Sequence, residues 1–341
     1  MRKQRTEYLR PIPDGFDIIY ASSVVGDRTG NGQRAIDLWA MNSGSCMSSR
    51  IAWGGYIHNH FCSSPGGRYI ATNRIMEDTN GNGILDVWDR KQLFILDLED
   101  GNEWPLYPEF NAGWGGIDWS LDGEWIYLSM SRMAWSGGTD IYRMHPDGSG
   151  IENLTVGIEK RLGPAGTVRK FVSDVGVSHD GEWIAFLYSP RQGETTVGVT
   201  TTKSRIAVCR IDGTEAQFIT DGGTLPSKKR GAWHAGDFDP EFSPDGQEIV
   251  FSRMTDSGMN GELSSFDIMQ CRTDGTNLRR LTSDRDPAGK GIPDWAEDGR
   301  IIYMVIDARD SYVGPEVMSA DGSTVRRYPE ARGTHFRWVP G

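Results

Sequence analysis

Ser243-Pro-Asp-Gly246, followed by Gln247-Glu-Ile-Val-Phe251, is the stretch from which the rest of the chain can be read. Serine, aspartate and glycine supply the polar side chains and the left-handed backbone of a tight reversal, and the apolar run after them reads as a β-strand. The unit recurs as Ser64-Pro-Gly-Gly67 before RYIA, Ser120-Leu-Asp-Gly123 before EWIYL, Ser178-His-Asp-Gly181 before EWIAF and Ala296-Glu-Asp-Gly299 before RIIYM. One more copy is divided: Phe336-Arg-Trp-Val-Pro-Gly341 reads as its first strand, while Pro13-Asp-Gly15 and FDIIYA supply its turn and second strand. From Gly15 the turn glycines step by 52, 56, 58, 65 and 53 residues, and by 57 through the C-terminus back to Gly15. A second marker closes a third strand in each unit: Asn42-Ser-Gly44, Glu99-Asp-Gly101, Pro146-Asp-Gly148, Ile211-Asp-Gly213, Thr273-Asp-Gly275 and Ala320-Asp-Gly322. Short segments such as ENLT, AQFIT and RRLT then read as a fourth strand.

Near-equal repeats of this length indicate a radial array, and a unit shared between the two ends joins its edges. The expected fold is therefore all-β: a six-bladed β-propeller of four-stranded antiparallel blades, closed by N- and C-terminal strands sharing one blade. Residues 13–341 form the single propeller domain, and residues 1–12 precede it as an N-terminal arm. An open solenoid would have no reason to divide a unit between its ends.

Composition narrows the function. The 43 glycines among 341 residues suit a turn-rich chain, and the 12 Trp, 12 Phe and 11 Tyr give it ample material for a core. A net charge of −11, without a Lys/Arg run to overrule it, disfavours nucleic acid. No stretch approaches the ~20 apolar residues of a membrane span, and the start, MRKQRTEYLRPIPDG, lacks the apolar segment expected of a signal peptide. Cys46, Cys62, Cys209 and Cys271 are scattered without zinc or disulfide spacing. The basic arm on an acidic body is expected either to fray or to dock on a neighbouring copy, giving a homo-oligomer. Walker, HExxH and GxSxG signatures are absent, which disfavours a standard hydrolase.

The S-P-D-G turn, the I-x-F strand after it and the later D-G and L-T segments resemble the TolB-like (WD40-like) propeller repeat over almost the whole chain. That resemblance implies a bacterial propeller used for protein or glycan binding, as a periplasmic partner of envelope complexes, or in related proteins as a polysaccharide lyase.

Asp78-Thr-Asn80-Gly-Asn82-Gly83-Ile84-Leu-Asp86-Val-Trp-Asp89 places oxygens at positions 1, 3, 5, 9 and 12, glycine at 6 and the Ile84 carbonyl at 7. The loop resembles a dockerin/EF-hand-like Ca²⁺ loop, with Asp89 in place of the usual glutamate. An Asn/Gly-rich turn that binds nothing has the same composition. The related segment starting at Asp27 lacks oxygens at the later positions and reads as an empty turn.

Aligning the first strands puts Ser63, Trp119, Val177, Phe242, Trp295 and Trp338 at one core level. Strand alternation then turns the neighbouring residues to the axis. Those are His60, Cys62, Gly116, Asp118, Asp174, Gly176, Asp239, Glu241, Ile292, Asp294, His335 and Arg337. This polar ring is either a funnel-type binding site or the lining of a water-filled channel. Trp53, Tyr56, Trp114, Trp135 and Trp233 stand beside glycines in the loops, where flat rings stack on sugars, anchor a protein or plug gaps between blades.

The expected function is a non-enzymatic binding or scaffold propeller engaging a protein or glycan at the channel face, stabilised by Ca²⁺. The alternative is a polysaccharide lyase with His60 or His335 as base and Arg337 neutralising a uronate. Aromatic-glycine loops and a calcium loop suit an extracytoplasmic location, periplasmic or extracellular.

Overall fold

The turns that the repeat marks share one construction. Ser243 Oγ donates to Asp245 at 2.6 Å and accepts the N–H of Glu248 at 2.9 Å, while the N–H of Gly246 closes on the Ser243 carbonyl at 2.8 Å. Ser120 and Ser178 make the same three bonds with Asp122 and Asp180. The turn glycines, Gly15, Gly67, Gly123, Gly181, Gly246 and Gly299, all have φ between +68° and +84°, where a side chain is strained. In this computed structural model the described residues are 4–23, 29, 34–54, 56–86, 89–107, 111–131, 139–162, 171–189, 203–223, 235–257, 264–282, 289–306 and 312–339.

Four blades are separate antiparallel sheets with four-stranded cores. A closing blade is ordered Thr334–Trp338, Ile18–Ser22, Asp37–Met41, Ser48–Ala52, so the late strand does pair with the early ones. The next runs Ile57–Ser63, Tyr69–Ile75, Lys91–Asp97, Asn102–Leu106 and gains a fifth strand, Gln4–Arg5, from the arm. A third comprises Asn111–Trp119, Ile126–Ser131, Asp140–Met144 and Glu152–Asn153, and the last spans Gly289–Trp295 to Val325–Arg327.

The expectation of six equal four-stranded blades is thereby corrected. The strands from Phe171–Val177 to Arg279–Arg280 form one eight-stranded sheet, not two further blades. Lys203–Arg210 and Ala235–Phe242 fuse it through a parallel pairing, Lys203 with Ala235 and Ser204 with Gly236. Gly236 permits this: its φ is +117°, and a Cβ there would lie 2.1 Å from the Ser204 carbonyl oxygen. The repeat with the longest step, 65 residues, is the one that departs from the pattern.

Sheets pack face to face around the axis through apolar seams. Ile95, Leu106 and Trp104 meet Ile117, Ile126 and Leu128, and Ile206 and Val208 meet Ile249 and Phe251. Between the last and closing blades, Ile302 and Val317 meet Ile18 and Phe336. Phe251 and Ile126 are fully buried, so truncating either to alanine costs about 3 kcal/mol or more. The expected core level is buried throughout, from Ser63 to Trp338. Cys209 and Cys271 are buried free thiols, and Cys46 and Cys62 are half-buried free thiols. Among the described residues the helix Thr155–Leu162 is the single one, and no helix is long and apolar enough to cross a membrane.

The arm's described residues engage their own chain. Thr6 donates to the Gly101 carbonyl at 2.8 Å, Arg10 to Ile51 at 2.9 Å, and Trp53 to Tyr8 at 3.1 Å, so the arm straps the outer edges of the closing and second blades.

Candidate functional site at the propeller axis

The innermost strands carry a break in pairing register where they approach the axis. It falls between Ser173 and Gly176, Phe238 and Glu241, and Gly291 and Asp294, with a corresponding shift opposite Ile19 and Ala21 in the closing blade. At these bulges Asp174, Asp239, Ile292 and His335 adopt φ between +51° and +54°, a conformation that costs non-glycine residues roughly 1–3 kcal/mol. A bulge re-aims side chains, and here it directs both members of the Asp239/Glu241 and His335/Arg337 pairs to the same cluster.

The carboxylates at the axis stitch neighbouring repeats. Asp118 accepts the N–H of Val177 at 2.6 Å, and Asp294 accepts that of Trp338 at 2.6 Å. Asp174 is bonded by the N–H of Asp239, and Asp239 by that of Ile292. Ser252 joins the same chain, donating to Asp239 at 3.2 Å and accepting from Ile292 at 2.9 Å. Each acid thus satisfies a backbone donor on the next inner strand that would otherwise lie buried and unpaired.

Arg337 closes the level nearer the turns. Its guanidinium pairs with Glu241 and, at 3.1 Å, with Asp294, and all three side chains are largely shielded from water. Gly176 leaves the space: a Cβ there would come 2.9 Å from Glu241 Oε2. Cys62 completes the level, its thiol donating to Asp118 at 3.3 Å. Two residues earlier, the imidazoles of His60 and His335 meet edge to face at 4.6 Å.

Burial sets the protonation of this cluster. It lifts Asp118 and Asp294 above the usual carboxylate range, takes Asp239 up to about 6, and raises Glu241 well above its ordinary value. Asp174 rises well above the range through burial and then the Asp239 charge. Burial, aided by the Arg337 charge, lowers His335 to about 4. His60 falls well below an ordinary imidazole through burial, with His335, Lys91 and Arg337 adding to it. Burial also works against the charge of Arg337, but Glu241 and Asp294 outweigh it and hold the guanidinium ionised. The cluster therefore sets two imidazoles that resist taking up a proton beside carboxyl groups that burial makes harder to ionise.

Among the described residues, the loop aromatics Trp53 and Tyr56 pack against other groups. Trp53 packs against Tyr8 and the guanidinium groups of Arg10 and Arg50, and Tyr56 lies against Arg74. Trp114 belongs to the strand Asn111–Trp119, its side chain outside the described residues, as are Trp135 and Trp233 altogether.

In the Asp78–Asp89 loop, Asp78 accepts the N–H groups of Gly81 at 2.6 Å and Gly83 at 2.7 Å. Asp89 accepts those of Thr79 at 2.8 Å, Asn80 at 3.1 Å and Asp86 at 2.9 Å, and Asn82 Nδ2 donates to Asp86 at 2.8 Å. Ile84 is exposed, while Leu85 is buried against Ile75 and roots the loop. Among the described residues no three His, Cys, Asp or Glu side chains are gathered as a metal-holding group.

Ser252 escaped the sequence reading, since it lies on a second strand with no motif. So did Lys91, a buried amine brought down to about 8 by burial against the pull of Asp89 and Asp86. A lysine opening an otherwise apolar strand run, Lys91-Gln-Leu-Phe-Ile-Leu, was the available signal.

No protein-family model matches the chain, and no curated protein matches it in sequence. The fold is shared with TolB-like propellers. A protein assigned as TolB from Agrobacterium tumefaciens is 18% identical with a TM-score of 0.58, covering 89% of this chain and 98% of that one. TolB from Acinetobacter baumannii is 15% identical with a TM-score of 0.62, covering 97% of this chain and 68% of its own. An oligogalacturonate lyase in complex with manganese is 11% identical with a TM-score of 0.50, covering 92% of this chain and 73% of that one. At such identities the likeness to these proteins is one of fold.

Proposed function

We propose that this propeller is a binding or scaffold module that receives a polar group of a protein or glycan partner at its axis and performs no chemistry on it. The observation that supports this reading is the engagement of Arg337 by Glu241 and Asp294, which gives the axis a self-satisfied floor. A lyase would need that guanidinium free to neutralise a uronate carboxylate. His60 and His335, uncharged and side by side, are suited to hydrogen-bonding hydroxyl or amide groups. An extracytoplasmic location accords with a role on glycans or envelope proteins and belongs to the same proposal.

We further propose that Asp78, Asn80, Asn82, the Ile84 carbonyl, Asp86 and Asp89 hold Ca²⁺ as a staple on the hairpin of the second blade. The ligand spacing supports this, and the fixed orientation of Asp78 and Asp89 by backbone donors favours a pre-shaped loop.

Calorimetric titration with oligogalacturonate, a neutral oligosaccharide and a polar peptide tests the main reading, with ultraviolet absorbance followed for unsaturated products. Binding without product, weakened by His60→Ala with His335→Ala, is the expected result. Product formation that disappears in those variants would replace it with the lyase reading.

A further inference from the structure

Asn80-Gly81 and Asn82-Gly83 are two consecutive asparagine-glycine steps, and both asparagines are exposed. This dipeptide is chemically labile. The glycine nitrogen, unhindered by a side chain, attacks the asparagine side-chain carbonyl carbon; a C–N bond forms, ammonia leaves and a five-membered succinimide remains. Water then opens the ring at either carbonyl to leave aspartate or isoaspartate. Overall, one amide and one water become one carboxylate and one ammonium ion.

The attacking atoms are the Gly81 and Gly83 nitrogens. In the structure both N–H groups are donated to a single side chain, Asp78: Gly81 to Oδ1 at 2.6 Å and Gly83 to Oδ2 at 2.7 Å. Both glycines have positive φ, +77° and +85°, and no atom within 4 Å of where a Cβ would stand. Steric crowding therefore does not protect these steps; the hydrogen bonds to Asp78 are what restrains them. Attack requires the nitrogen to give up its proton and turn its lone pair to the asparagine carbon. A carboxylate holding that proton fixes the nitrogen away from the attack, and its negative charge disfavours the amide anion beside it. The asparagine side chains are oriented separately: Asn80 Oδ1 accepts from Asn82 N at 3.0 Å, Asn82 Oδ1 accepts from Ile84 N at 2.9 Å, and the Nδ2 groups face Asp86.

We propose that Asn80 and Asn82 are a latent pair of deamidation sites guarded by Asp78, one carboxylate restraining both nucleophiles. Release of the guard converts the loop to one carrying two more carboxylates beside Asp78, Asp86 and Asp89. Asp78, Asn80 and Asn82 are also among the ligands proposed above for Ca²⁺, so the guard is a property of the cation-free loop, and chelator in the test keeps the two roles apart.

Intact-mass spectrometry and peptide mapping of the full chain, incubated at mildly alkaline pH with chelator present, test this. Asp78→Ala should accelerate deamidation at both asparagines by about tenfold or more, the factor expected for losing a charge-assisted hydrogen bond. Asp78→Asn, which keeps an acceptor oxygen but no charge, should fall between, and it serves if the alanine variant folds poorly. Glu77→Gln removes an exposed charge next to Asp78 while both glycine N–H bonds to Asp78 remain, and should leave the rate near wild type. An Asp78→Ala rate equal to wild type, or equal acceleration in Glu77→Gln, would overturn the guard.

Discussion

Arg337 and Asp294 are joined twice: the guanidinium meets one carboxylate oxygen at 3.1 Å, and the backbone N–H following Arg337 meets the other at 2.6 Å. The last inner strand is thus fastened to its neighbour by both side chain and main chain. Replacing Arg337 with methionine leaves Glu241 and Asp294 facing each other without a cation. A loss of about 3–5 kcal/mol in urea denaturation is expected, as for a buried pair with one partner removed. Adding Glu241→Gln and Asp294→Asn should return part of it. A cost under about 1 kcal/mol for Arg337→Met alone would show that the clasp is solvated in solution.

Titration of the axis has opposing parts. Asp239, raised to about 6, favours the folded state when protonated; that contribution is full below the unfolded carboxylate range and is lost as pH rises through 6. His335, lowered to about 4, works the other way: its contribution is full above the ordinary imidazole range and is lost as pH falls through 4. Asp239→Asn should therefore gain on wild type as pH rises from about 4 to above 6, and His335→Gln should gain as pH falls from about 6.5 to 4, by roughly 2–3 kcal/mol each. Parallel stability profiles for variants and wild type would refute this assignment.

The turn glycines and the buried aromatic level were legible because each follows from local chemistry. Gly246 and Trp295 announce a positive φ and an inward side chain within a few residues of sequence. The pairing of Ser204 with Gly236 was not legible. A parallel contact carries no periodicity, and its enabling glycine looks like any other in a chain with 43 of them. The axis was read in composition but not in use: Asp118, Asp174, Asp239 and Asp294 were found by strand alternation, while their partners are backbone amides of the following repeat.

Gly236 supplies a direct check on the merged sheet. Gly236→Val forces a side chain against the Ser204 carbonyl, so the parallel pairing must open. Hydrogen exchange should then quicken at Lys203–Ser204 and Ala235–Gly236 while the antiparallel pairs Ile184–Cys209 and Val250–Gln270 stay protected. Uniform loss of protection would mean that the two halves melt as a single unit.

Deleting residues 1–10 removes the strap made by Thr6, Tyr8, Leu9 and Arg10, including a buried leucine. The thermal midpoint should fall by a few degrees, with the mass by light scattering unchanged at low and high salt. A fall in mass would instead identify the arm as an intersubunit contact.

Chelation tests the calcium proposal. Removing the ion should lower the thermal midpoint, and Asp78→Ala with Asp89→Ala should abolish the chelator effect. Calorimetry with no heat at millimolar Ca²⁺ would end the claim.

In the closing blade, the bond from Ser22 to the Arg332 carbonyl spans 310 residues of chain. Strand Ile18–Ser22 is synthesised early, yet its edge waits for Thr334–Trp338 before it has a partner on that side. Until then it offers open main-chain donors and acceptors to any passing strand, its own or another molecule's. The final joining must also bring together the most distant parts of the chain, the kind of event that makes folding slow. The seam that completes the ring is thus where a nascent chain is most exposed to mispairing, and where a chaperone would have most to shield.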